Sequence, residues 1–160
     1  MAQRMLTVWP ALLIAGVIAT ASMPTQAATC SASAVGVSFG TYNPLTAASN
    51  DSTGSISIAC NGFLTELIAY SIAISPGNGT YRARRMVNGA SSIEYNLYLD
   101  PLYLNVWGNS LLDSLVLSIS YVLAVSPTIR QHTVYGRIPA RQTNVRPGLH
   151  SDTVTVTVAF

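Results

Sequence analysis

The last nine residues of the chain, 152–160, alternate strictly between polar and apolar side chains. Strict alternation is typical of a β-strand with one buried face, which here would carry Val154, Val156, Val158 and Phe160. The chain stops inside this strand, and terminal residues usually fray unless a partner holds them. The pattern therefore predicts that another molecule completes the sheet, and that these four side chains face the groove in which it binds.

The same alternation recurs in short segments that are separated by Gly, Pro, Asn and Asp residues, and no helical stripe exceeds two turns. We predict strands at residues 35–39, 56–60, 68–74, 93–99, 115–125 and 133–138, with a last one from about 151. About six of these are principal strands, whereas a constant-type immunoglobulin sandwich uses about seven. The sequence thus predicts an all-β fold, an incomplete immunoglobulin-like β-sandwich lacking its last strand, with an open apolar groove where that strand would lie.

Residues 1–28 have the features of a secretory signal peptide and precede a single domain at 29–160. Arg4 supplies the positive charge, an apolar core covers residues 6–19, and small residues follow, with a cleavage site after Ala27 or Ala28. The apolar core is too short to be a strong candidate for a membrane span. We therefore expect export to the periplasm, followed by display on the cell surface or secretion.

The chain has two cysteines, Cys30 and Cys60. Because cysteines in an even number usually pair in exported proteins, we predict a disulfide between them. A lipid anchor at Cys30 is a weaker interpretation, since Thr29 stands where a smaller residue is expected. A metal or nucleophilic role lacks the additional ligands or the base that it needs, so we predict no metal site and no cofactor.

Charge and residue clustering argue against two classes of function. After removal of the signal peptide, seven arginines balance six acidic side chains, which predicts no nucleic-acid binding through phosphate contacts. His150, Ser151 and Asp152 are neighbours on a predicted strand, so their side chains alternate in direction and cannot form a catalytic relay directly. With two histidines and no cluster of carboxylates, the sequence predicts that the protein is not an enzyme.

Two groups of side chains have both a structural and a functional interpretation. Arg82, Arg84 and Arg85 are more consistent with a solvated strand edge than with an anion-binding site. Trp107 is more consistent with a packing anchor than with a platform for a glycan, a role for which Tyr81 and Tyr103 are also candidates.

Short motifs follow one another along nearly the whole mature chain: Cys30, 37–44 (VSFGTYNP), 54–60 (GSISIAC), 85–86 (RM), 95–98 (YNLY), 107–108 (WG), 135–139 (YGRIP), Gln142 and 147–152 (PGLHSD). This ordered set resembles the spore coat protein U domain family, which also supplies subunits of archaic chaperone–usher pili. The resemblance implies three partners: a periplasmic chaperone, an outer-membrane usher, and a neighbouring pilus subunit that donates a strand. It also implies that the chaperone captures the carboxylate of Phe160.

The sequence departs from such subunits in two places. Polymerising subunits carry an alternating donor segment before the first cysteine, whereas cleavage would leave only one to three residues before Cys30, Ala28 and Thr29 among them. A donor strand needs about five or more residues, so we expect a tip or terminating subunit. The segment 111–125 is also more apolar than in relatives, and we interpret it as a core strand rather than a contact surface.

The leading hypothesis is a structural or adhesive subunit of a surface fibre, assembled by donor-strand complementation through a chaperone–usher pathway. The second is a secreted coat protein that self-associates on a spore or cell surface through the same groove. The third is a periplasmic binding module or enzyme whose sandwich is complete without a partner.

Overall fold

The computed structural model describes residues 27–111 and 113–160, so the predicted signal peptide, apart from its last two residues, lies outside the described part. The described residues form strands, turns and loops, and none of them is helical. No helix long and apolar enough to span a bilayer therefore occurs among them. We number the eight strands in chain order: β1 (Thr29–Val35), β2 (Asn50–Asn61), β3 (Leu67–Ile74), β4 (Arg84–Asn88), β5 (Ser91–Tyr98), β6 (Leu117–Val122), β7 (Thr128–Ile138) and β8 (Val156–Ala159).

The strands form two antiparallel sheets that pack face to face. One sheet has five strands in the order β1-β2-β7-β5-β4, and the other has three in the order β6-β3-β8. Alternate residues of β2 and β3 point into the space between the sheets, as the period of two requires. The all-β sandwich is confirmed, and its buried core contains Ile56, Ile58, Cys60, Ile68, Tyr70, Ile72, Ile74, Ile93, Tyr95, Leu97, Trp107, Leu123, Val134 and Ile138.

Two structural features expected from the sequence are present in this core. Cys30 and Cys60 face each other in the register of β1 and β2 and form a disulfide. Trp107 is fully buried, and its indole N–H donates to the carbonyl of Ile72 at 2.9 Å. Trp107 is therefore a packing anchor that joins the loop after β5 to β3.

The first strand lies earlier than predicted. β1 ends at Val35, and Val37 and Phe39, which were expected to continue it, lie outside every strand. Their side chains nevertheless pack against the core. They lie over Gly54 and Gly136, where an added Cβ would come 3.0 Å and 2.7 Å from Val37. The alternation at 35–39 thus results from side-chain burial without strand pairing.

β4 and β8 also differ from the prediction, and β2 and β7 begin earlier than predicted, at Asn50 and Thr128. β4 was missed because Arg84–Asn88 has no alternating apolar face; it pairs with β5 through a tight turn that includes Gly89, whose φ is +56°. β8 begins at Val156 rather than near residue 151, because Ser151 pairs with Val87 of β4 instead of with β3. The chain therefore crosses from the five-stranded sheet to the three-stranded sheet between residues 151 and 156.

The apolar segment at 111–125 contributes both core and surface. Its centre is the edge strand β6, from which Leu117, Ile119 and Tyr121 pack against the core, and Leu123 beyond it is fully buried. The segment therefore does form a strand of the core. Four of its other large apolar side chains are exposed, namely Leu111, Leu115, Val122 and Val125.

Candidate functional site

A groove of about 840 Å³ opens beside β8. One wall is formed by residues 34–44, which continue from β1, and the other by residues 145–156, which lead into β8. A chain inserted here would contact the core directly, because the floor consists of the core side chains Ile56, Ile74, Ile93, Tyr95, Leu97, Val134 and Ile138.

β8 is an edge strand that bonds only to β3 within the described part of the chain. The carbonyl of Thr155 accepts a hydrogen bond from the N–H of Ser75 at 2.9 Å, so the backbone of Thr155 points toward β3. In an antiparallel pair this direction alternates from one residue to the next. The backbone N–H and C=O groups of Val154, Val156 and Val158 therefore point to the open side of the strand.

The opposite wall, at residues 37–42, makes no backbone–backbone hydrogen bond in the described structure. Side chains of β2 hold it instead: the amide of Asn50 donates to the carbonyl of Phe39 at 3.0 Å, and the hydroxyl of Ser52 donates to that of Ser38. Phe39 also packs edge-on against Tyr95 of the floor, with ring centroids 5.8 Å apart. This wall is therefore held in place while most of its backbone groups remain unpaired.

The four residues predicted to face the groove occupy different positions. Val154 and Val156 line it. Val158 packs against the core but does not line the groove. The Phe160 side chain is 63% exposed and lies edge-on to Tyr70, with ring centroids 6.1 Å apart, because β8 ends one residue before it. The structure thus brings two of the four side chains to the groove.

Arg84 is fully buried, which corrects its interpretation as part of a solvated edge. Its guanidinium donates to the carbonyls of Ser75 and Trp107 and to the side-chain oxygen of Asn96. Because Arg84 occupies the carbonyl of Ser75, the N–H of Thr155 donates to the Ser75 hydroxyl instead, at 2.8 Å. Arg84 therefore lies beside the point at which the chain leading into β8 meets the end of β3, and burial lowers its pKa.

Asp152 ties the loop before β8 to the groove floor. Its carboxylate accepts hydrogen bonds from the backbone N–H of Asn78 at 3.0 Å, from the Asn78 amide at 2.9 Å and from the hydroxyl of Tyr95 at 2.7 Å. Burial, together with this carboxylate, raises the pKa of Tyr95, so the phenol remains a donor. This role could not be predicted from the sequence, because Asn78 and Tyr95 are distant from Asp152 along the chain.

The residues weighed as catalytic have separate partners. His150 lies 3.1 Å from the hydroxyl of Ser91, whereas the carboxylate of Asp152 accepts from Tyr95. Within residues 27–111 and 113–160, no three His, Cys, Asp or Glu side chains lie close enough to hold a metal ion. The arrangement at the groove is suited to binding an extended chain.

A polar cluster lies on the surface of β2 and β7, away from the groove lining. The guanidinium of Arg137 donates to both carboxylate oxygens of Asp51 at 2.7 Å, and these bonds lower the pKa of Asp51. The same guanidinium lies 3.6 Å from the ring centroid of Tyr103. One face of Tyr103, the candidate glycan platform, is therefore already covered by protein.

The chain is similar in sequence to a protein family and to a bacterial protein. The model of the Spore Coat Protein U domain matches residues 17–157. Protein U of Myxococcus xanthus is 34% identical over 135 residues, which are 78% of this chain and 71% of that protein.

A solved structure is similar at the level of fold. It is the CsuC–CsuE chaperone–tip adhesion subunit pre-assembly complex from the archaic chaperone–usher Csu pili of Acinetobacter baumannii, with a TM-score of 0.56 and 20% identity. The match covers 84% of this chain and 40% of that chain, so our chain spans less than half of its length. This likeness agrees with the incomplete immunoglobulin-like sandwich, and the sequence matches give the assignment. The chain belongs to the spore coat protein U domain family.

Proposed function

We propose that the protein is a structural or adhesive subunit of a surface fibre, assembled by donor-strand complementation through a chaperone–usher pathway. The observation that carries this proposal is the groove beside β8, which has an apolar floor and a strand edge with unpaired backbone groups. A β-strand from another chain satisfies both features, because its side chains fill the groove while its backbone bonds to β8.

The groove also defines the strand that it accepts. A strand paired along residues 154–160 needs about seven residues at a rise of roughly 3.3 Å each, with every second side chain pointing to the floor. Ile74, Val134 and Ile138 make that part of the floor aliphatic, so we expect apolar residues at those alternate positions. Each contributes about 1.5 to 3 kcal/mol on burial, before the cost of ordering the donor. Since whole domains are stable by only about 5 to 15 kcal/mol, folding of the subunit depends on its partner.

The fold-level relative suggests the order in which partners bind. That relative was solved as a pre-assembly complex of a chaperone with a tip adhesion subunit. By analogy, a periplasmic chaperone first occupies the groove of our chain after export through the signal peptide. An outer-membrane usher then exchanges the chaperone for the strand of a neighbouring subunit, and the fibre emerges on the cell surface.

We place the subunit at the tip or terminus of the fibre. β1 begins at Thr29, and its seven residues pair with β2, so they are not free to insert into a neighbour. Cleavage after Ala27 or Ala28 leaves at most Ala28 ahead of this strand, whereas a donor segment needs about five residues. The mature chain then accepts a strand without donating one.

Periplasmic expression with and without a cognate chaperone tests the proposal. Expressed alone, the chain should be degraded or aggregate, because its core lacks one strand. Co-expression should give a soluble one-to-one complex that size-exclusion chromatography resolves. A monomeric, protease-resistant chain obtained without any partner would refute the proposal.

The description of the family favours a second candidate, a secreted coat protein that self-associates on a spore or cell surface. In that case a second copy of the chain, and not a chaperone, covers the groove. Soluble oligomers formed without a chaperone, which Val156→Asp disrupts, would distinguish this candidate from the fibre subunit.

A further inference from the structure

We propose that signal peptidase cuts between Ala27 and Ala28, and that the new α-ammonium group of Ala28 forms an ion pair with Glu66. The proposal rests on export of the chain. The backbone nitrogen of Ala28 donates to Oε1 of Glu66 at 2.8 Å. Hydrolysis adds water across the Ala27–Ala28 amide, which leaves a carboxylate on Ala27 and an amine on Ala28 that takes up the proton. The nitrogen that now donates to Glu66 then carries a positive charge.

The start of β1 is built to hold Ala28. Its side chain is half-buried and packs against the core, whereas Ala27 is exposed. Gly62 provides the space: an added Cβ would lie 3.0 Å from the Cβ of Ala28 and 2.5 Å from Oε2 of Glu66. A side chain at position 62 would therefore displace both groups. Of the two described residues before β1, Ala28 is the one that packs, and it is the first residue after the proposed cut.

Glu66 is a half-buried carboxylate that the described part of the chain provides with hydrogen bonds but with no cation. Its Oε2 accepts the N–H of Phe63 at 3.1 Å, and its Oε1 accepts that of Ala28. Withdrawing a carboxylate from water without a cation is unfavourable. An ammonium group at hydrogen-bonding distance offsets this penalty, because charge-assisted bonds are stronger than neutral ones.

The sequence at the cleavage site favours the same bond. Cleavage after Ala27 puts Thr25 and Ala27 at the two positions of the small-x-small pattern, whereas cleavage after Ala28 puts the larger Gln26 at the first of them. Cleavage after Ala28 would also remove the residue that packs on Gly62. Both lines of argument therefore assign the N-terminus to Ala28.

The ion pair has a consequence for the proposed fibre. It holds the mature N-terminus against the loop between β2 and β3, which contains Gly62 and Glu66. The structure thereby offers a reason why this chain would accept a strand without extending one to a neighbour.

A labelling experiment can isolate this one amine. The sequence contains no lysine, so the α-amino group is the sole primary amine of the mature chain. The exported chain is purified, with its chaperone where one is needed. It is treated with an N-hydroxysuccinimide ester, and its N-terminal peptide is followed by mass spectrometry. The peptide should begin at Ala28, and Glu66→Gln should label about two- to fivefold faster than wild type, the factor expected for a weak ion pair.

Glu94→Gln is the matched control, because Glu94 pairs with Arg85 on other strands and its loss should leave the labelling rate unchanged. If Glu66→Gln does not fold, Glu66→Asp, which withdraws the carboxylate by one methylene, supplies the comparison. An N-terminus at Thr29, or equal labelling of wild type and the Glu66 variants, would overturn the proposal. Neither the N-terminal residue nor the labelling rate measures chaperone capture, so failure here is distinguishable from failure of the co-expression test.

Discussion

Replacing Val156 by aspartate tests the groove at its border with β8. Val156 lines the groove, packs against the core and pairs with Ile74 of β3. Its neighbour Thr157 lies on the opposite, exposed face of the same strand. Val156→Asp therefore puts a carboxylate on the face that the proposed incoming strand would cover, and Thr157→Asp puts the same charge on the solvent side. The two variants form a matched pair.

The expected magnitude follows from these two environments. Loss of the valine removes about 1.5 to 3 kcal/mol of apolar burial in the completed sandwich. Covering an unpaired carboxylate adds a penalty of at least about 2 kcal/mol. The total of roughly 3.5 to 5 kcal/mol corresponds to a loss of about 300-fold or more in complex stability. Thr157→Asp, an exposed substitution, should stay within about 0.5 kcal/mol.

The assay is co-purification of each variant with a tagged chaperone from the periplasm, followed by size-exclusion chromatography. Val156→Asp also destabilises the domain before a partner strand binds. The quantity to compare between the variants is therefore the yield of folded one-to-one complex. Thr157→Asp should give a yield near that of wild type, and Val156→Asp should give no stable complex. Equal yields from the two variants would refute the assignment of the partner to the apolar face of β8.

The remaining predictions concern the supports of the groove. Arg84→Met should lower the unfolding free energy of the complex in urea by about 3 kcal/mol or more, because three buried acceptors lose their donor; an unchanged midpoint would contradict this. Cys30→Ser should reduce the yield of folded complex, since the disulfide spans a sequence separation of 30 and constrains the unfolded chain by about 3 to 4 kcal/mol, and an equal yield in the oxidising periplasm would count against it. Gly136→Val should expose the wall at 37–42 to limited proteolysis, because a larger side chain displaces it; unchanged cleavage would show that the wall can adjust. The pKa of Asp51 is lowered by Arg137, so the stability it contributes is present above about pH 4 and is lost as the pH falls through the folded-state pKa; Asp51→Asn should weaken this acid dependence in denaturation series between about pH 5 and 2.

The sequence predicted strands well where one face of a segment is buried and the backbone is paired. β3 and the second half of β2 satisfy both conditions, and their alternation located them. Val37 and Phe39 have partly buried side chains, which pack over Gly54 and Gly136, but their backbone is not paired with another strand. Side chains of β2 hold this backbone instead. Alternation in the sequence therefore predicts which side chains are buried. It does not predict which group the backbone bonds to, because that depends on the tertiary structure.

Arg84 illustrates a second limit. Its neighbours Arg82 and Arg85 are exposed, and nothing in the local sequence separates the three. The burial of Arg84 is tolerated because hydrogen-bond acceptors on Ser75, Asn96 and the loop after β5 surround its guanidinium. The fold brings these acceptors together from distant positions in the chain. The same applies to the groove: the terminal alternation indicated the wall at Val154 and Val156, but the wall at 37–42 comes from the other end of the chain.

An open strand edge beside an apolar groove pairs readily with unrelated strands, and native proteins usually shorten or cover such edges. In the described structure the exposed edge is confined to residues 154–160, because the preceding loop is tied down by Ser151 and Asp152. Backbone pairing along so few residues discriminates poorly between partners, because every strand offers the same N–H and C=O groups. Discrimination must then come from the floor, where a polar or charged side chain at an inward position is rejected by its desolvation penalty. The aliphatic floor that leaves the isolated domain incomplete is therefore also what would select its partner strand.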